Sequence, residues 1–125
     1  MNARGRALGI ALAAALGIAG CASAPDRLDA PKIVVGLEIA PYAVHVECVE
    51  LRAGQRIGYL FKSALPLAFN IQFRDGNTVI EPISSARTQS ESGEFTADRD
   101  QTYCLTWEAG AGGSVLECRV ERLER

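Results

Sequence analysis

The chain has 125 residues, 13 of them basic and 15 acidic, with a single histidine, His45. That length suits one domain. The charge excludes a nucleic-acid binder, which needs a basic stripe to displace counterions from phosphates, and one histidine excludes a His-rich metal site. An apolar fraction of 48% excludes a wholly disordered chain.

The first 20 residues read as an address. Residues 1–7 carry Arg4 and Arg6 and no acid, and residues 8–19, LGIALAAALGIA, are uncharged and apolar. Twelve such positions are too few to cross a hydrocarbon layer of about 30 Å, and they suit the apolar region of a cleaved signal peptide. Ile18-Ala19-Gly20-Cys21 follows, with small residues ahead of a strong nucleophile. The run resembles the lipobox of bacterial lipoproteins. The resemblance implies that the Cys21 thiol receives a diacylglyceryl group, that the peptide is cut before Cys21, and that the new amine is acylated. Several acyl chains hold a protein on a membrane permanently, where one alone binds marginally. Ala22 and Ser23 follow the cysteine, and no Asp does. By resemblance to Gram-negative lipoproteins this implies an outer-membrane anchor facing the periplasm. Every acid lies after Cys21, so a product starting there carries eleven basic against fifteen acidic side chains.

Residues 21–31 read as the lipidated N-terminus and a tether with little to bury, and residues 32–125 as the domain. From Lys32 onward, short runs of Val, Ile, Leu, Phe and Tyr alternate with Gly, Pro, Asn and Asp. Strands are expected over 32–38, 42–51, 55–61, 66–73, 77–83, 93–97, 102–108 and 114–121. Turn signals about 8–12 residues apart make this an all-β chain, a small antiparallel sandwich of the jelly-roll kind. Asp75-Gly76 suits a two-residue type I′ hairpin loop, which sets Phe73 opposite Thr78 and Ile71 opposite Ile80. Period-two rows at Ile57, Tyr59 and Phe61, at Leu67, Phe69, Ile71 and Phe73, and at Tyr103, Leu105 and Trp107 supply the core. Residues 84–92, SSARTQSES, lack an apolar period and read as a surface loop.

With Cys21 acylated, Cys48, Cys104 and Cys118 remain, in a compartment that favours disulfides. If the strands either side of Ala109–Gly113 pair, one register puts Cys104 opposite Cys118. A shift of one residue gathers Tyr103, Leu105 and Trp107 with Leu116, Cys118 and Val120 into a better apolar face and leaves Cys104 for Cys48. Both pairings stand at this point, the thiol left over being a buried small hydrophobe. Residues 44–108 are similar to the GOLD domain of eukaryotic p24 cargo-trafficking proteins, through Cys48, Gly54, Phe61, Ser92-Gly93-Glu94-Phe95 and Tyr103-Cys104. That similarity implies a small sandwich used for protein contacts, stapled by a disulfide between Cys48 and Cys104. The p24 proteins continue into a coiled coil and a membrane span that this chain does not show, so their trafficking role does not transfer.

No constellation for catalysis emerges. An acyl-transfer triad would need His45 as its base, and its place in YAVHVECVEL reads as outward-pointing on a strand. Zinc needs four N or S ligands, and neither that set nor a Cys-x-x-Cys redox pair is present. Glu47 and Glu50 are three apart on a strand, hence on opposite faces. Gly110, Gly112 and Gly113 join strands instead of opening a helix that could hold a phosphate. Arg119, Arg122 and Arg125 with Glu117, Glu121 and Glu124 read as a solvated mixed-charge end. The expectation is a non-enzymatic domain without a cofactor, held on the membrane by its lipid and contacting an envelope protein. The alternative is a ligand- or polymer-binding module using Tyr42, Phe73 or Trp107 on an exposed face.

Overall fold

A computed structural model describes residues 25–124; the segment read as a signal peptide and Cys21 lie outside the described residues. The chain forms six strands, β1 (Lys32–Ile39), β2 (Val44–Leu51), β3 (Arg56–Asp75), β4 (Thr78–Thr96), β5 (Gln101–Ala109) and β6 (Ser114–Leu123). All their ladders are antiparallel, and the described residues contain no helix.

The fold turns on β3, which changes partner part-way. Its first part pairs β6 from Arg56↔Leu123 to Ser63↔Leu116, and its second part pairs β5 from Leu67↔Ala109 to Gln72↔Cys104. Pro66 stands between the two ladders, where its missing N–H costs no ladder bond. On the other side of β3, β4 follows the whole way with a register shift between Lys62 and Leu67, as a bulge at a bend requires. Ser114 ties the bend to β6: its Oγ donates to the Leu65 carbonyl at 2.8 Å and accepts from the Leu65 N–H at 2.9 Å. The result is two half-sheets, β1-β6-β3-β4 and β2-β5-β3-β4, folded over one core. Rings from the two halves meet inside: Tyr59 and Phe61 each lie 5.1 Å from Phe69, and Phe95 lies 5.1 Å from Tyr103.

The three expected apolar rows are buried, so the all-β sandwich reading holds. Four local expectations change. The strands expected at 55–61 and 66–73 are one, because β3 continues through Leu65-Pro66 and only its partner switches. The loop expected at 84–92 is strand, with Ser92, Glu91 and Ser90 opposite Leu60, Phe61 and Lys62. Its outer edge has no partner strand, so it needs no apolar period. The hairpin loop is Gly76-Asn77, not Asp75-Gly76, since Asp75 pairs Thr78 and Phe73 pairs Ile80. Gly76 has φ +64° and Asn77 is not in the positive-φ region, the pattern of a II′ loop with glycine first. Lastly, β5 and β6 do not pair with each other; they lie in opposite half-sheets. Tyr103, Leu105 and Trp107 still share a core with Leu116, Cys118 and Val120, but across the sandwich.

The ordered fold also begins before Lys32. Asp26 bridges Val49 in the parallel sense, donating its N–H to the Cys48 carbonyl at 2.9 Å and accepting from the Glu50 N–H at 2.8 Å. Leu28, two residues on, is buried in the core. Part of the segment read as tether is therefore packed structure.

Candidate functional site

Alternation along the strands gives each half-sheet an outer face, and the two faces differ in charge. On the β2–β5–β3 half, the residues opposite in sense to the buried Tyr103, Leu105 and Trp107 are Val44, Val46 and Cys48 on β2, Thr102, Cys104 and Thr106 on β5, and Ala68, Asn70 and Gln72 on β3. One row runs Val46, Thr106, Asn70, Ser84 across four strands. Thr106 Oγ1 donates to Asn70 Oδ1 at 2.9 Å within it. Two adjacent rows of this face, Val46–Thr106–Asn70 and Cys48–Cys104–Gln72, carry no ionisable side chain; Glu108 stands between Val44 and Ala68 in the row on one side of them, and Glu50 pairs Thr102 in the row on the other. The outer face of the β1–β6–β3 half carries Lys62, Glu117, Arg119 and Glu121 in adjacent rows, with Arg119 paired to Glu121 at 2.9 Å.

Cys48 and Cys104 lie opposite each other in the β2–β5 ladder and are disulfide-bonded on the uncharged face. Cys118 is a free, buried thiol between Val34 and Phe61. Burial, with the nearby Glu47 carboxylate, pushes its pKa up to about 11, and Lys32 acts the other way.

His45 corrects its expected direction. It shares the inward sense of Val49 and Leu51, its ring lies 5.9 Å from that of Trp107, and it contacts Glu47 Oε2 through Nε2 at 2.7 Å. Glu47 also meets Lys32 of β1 at 3.5 Å. The trio closes the seam between the two edge strands. Glu50 points outward to Arg27 at 3.1 Å, so the two carboxylates do face opposite ways.

The C-terminal charges also differ from expectation: β6 lies between β1 and β3, and only its outward residues are solvated. Arg122 instead donates to the Arg27 carbonyl and approaches Asp29 at 3.7 Å. It lines a polar cleft of about 680 Å³ with Arg27, Arg52, Glu50 and Asp100, which the sequence did not announce because it forms between distant segments. Most of its charges are already paired with one another. The aromatics named for a binding face are not there: Trp107 and Phe73 are buried, and Tyr42 is exposed alone.

No protein-family model matches the chain, and no curated protein matches it. The reading of its function therefore rests on its own residues.

Proposed function

We propose that this chain is a lipid-anchored domain of the bacterial envelope, held at Cys21 in the outer membrane and facing the periplasm, which acts by contact with an envelope protein and not by catalysis. The observation that carries the contact reading is the uncharged tract on the β2–β5–β3 face. Interface centres are depleted of charge while ordinary solvated surface is not, and the opposite face of the same sandwich has the ordinary mixture. Among the described residues no cavity opens on these two rows of Thr, Asn, Gln and Val, and a small molecule needs a concave one. The lipobox-like run at Cys21 supports the location.

The test is photo-cross-linking in intact cells from residue 72 on the uncharged face and residue 62 on the charged face, in the chain otherwise unchanged. The expected result is a discrete adduct with an envelope protein from residue 72 and none from residue 62. Adducts from neither, or equal adducts from both, would contradict the assignment of the face.

A further inference from the structure

Large apolar side chains are not exposed evenly on this sandwich. Ile33 and Val35 stand on the outer face of β1, 56% and 72% exposed, and Val44 and Val46 on the outer face of β2, 50% and 46% exposed. Tyr42, in the turn joining the two strands, is 68% exposed. Its backbone holds φ +62°, a region that non-glycine residues enter at a cost, and its ring gains no packing in return. β1 and β2 are the edge strands of the two half-sheets, and Lys32, Glu47 and His45 close the seam between them. The five apolar residues thus form a fringe along both sides of one edge of the sandwich, with Glu38 and Glu108 at its margins. The opposite edge, β4, exposes one large apolar side chain, Val79 at 43%, and is polar over Ser84–Ser92.

The same edge receives the N-terminal segment. Asp26 pairs with the outer edge of β2, and the parallel sense of that bridge sets residue 25 on the Cys48 side of it. Cys21 and Asp26 are five positions apart, a reach of at most about 17 Å even fully extended. Reaching β4 from Asp26 means crossing β2, β5 and β3, and four strand spacings come to about 19 Å. The β1–β2 edge therefore adjoins the point where the tether enters the fold, and β4 is the edge farthest from it.

We propose that the anchored domain stands edge-on, with the Ile33, Val35, Tyr42, Val44 and Val46 fringe against the lipid surface and β4 directed away from it. This rests on the lipid-anchor reading of Cys21. In this stance the uncharged face stands upright beside the membrane, open to a protein. A tyrosine at the headgroup level is chemically apt, with its ring apolar and its hydroxyl wet.

The test uses the full chain with acylation at Cys21 verified by mass, in phosphatidylethanolamine–phosphatidylglycerol vesicles with brominated acyl chains. Val46→Trp and Ser84→Trp place reporters at the two ends of one cross-strand row, and the buried Trp107 gives both the same background. The expected result is loss of fluorescence from Val46→Trp and none from Ser84→Trp. Quenching of both would mean the domain lies flat on that face. Quenching of Ser84→Trp alone, or of neither, would exclude the edge-on stance, including the case in which only a protein covers the fringe. Should Val46→Trp fail to fold, Tyr42→Trp replaces it with the same expectation. If mass shows Cys21 unacylated in cells, the anchor reading itself falls, an outcome distinct from the loss of the stance.

Discussion

Lys32 reaches Glu47 at 3.5 Å across a seam where β1 and β2 share no backbone ladder. Away from the turn at residues 40–43 that joins the strands, side chains span this seam, with His45 adding its contact to Glu47 from the Trp107 side. Glu47→Gln should lower the unfolding free energy by about 1 kcal/mol, the upper end for partly exposed ion pairs. A double-mutant cycle with Lys32→Met, read by urea denaturation, should return a coupling of the same sign. A coupling of zero would show that the pair contributes nothing to closing the seam.

Tyr59 and Gly93 face each other in the β3–β4 ladder. A methyl group at 93 would meet the Tyr59 Oη at 2.6 Å, so Gly93→Ala should destabilise by about 1–3 kcal/mol, the usual cost of overpacking. Adding Tyr59→Phe removes the closest atom and should recover part of that loss. Equal denaturation midpoints for wild type and Gly93→Ala would place Tyr59 elsewhere.

The Cys48–Cys104 bond spans 56 residues and pins edge strand β2 to β5. The chain-entropy treatment gives about 4 kcal/mol for a loop of that size. Reduction, or Cys48→Ala with Cys104→Ala, should lower the melting temperature markedly. Peptide mapping without reductant should recover a 48–104 linked peptide and an unlinked Cys118.

Cys118 has its thiol pKa raised from 9.0 to about 11, first by burial and then by Glu47. The folded state therefore holds a proton that the unfolded state releases. The contribution is complete below pH 9 and is lost as pH rises towards about 11. Unfolding free energy should fall faster over that range in the wild type than in Cys118→Val, and iodoacetamide should label native Cys118 slowly at pH 8. Parallel curves for the two proteins would contradict this.

Where one face alternates strictly, the sequence was legible: the rows through Phe61, Phe69 and Trp107 announced both strand type and core. Pairing that depends on distant partners was not. Pro66 looked like an end because a proline breaks a ladder, and here two ladders meet at it. Residues 84–92 looked like a loop because an edge strand on a bend buries little. His45 was misdirected because its strand carries valines on both senses, so polarity did not reveal which side faces in. Leu28, alone among polar neighbours, gave no period to read. The uncharged face was hidden because its members come from β2, β3 and β5, brought together only by register.

The anchor at Cys21 is the claim on which the account depends. The direct measurement is intact mass and membrane fractionation of the chain expressed in a Gram-negative host, beside Cys21→Ser. The account predicts a membrane-bound protein starting at an acylated Cys21, and a Cys21→Ser variant that accumulates uncut or passes into the soluble periplasm. A wild-type product without acyl mass, or a Cys21→Ser variant that fractionates and labels like the wild type, would contradict it.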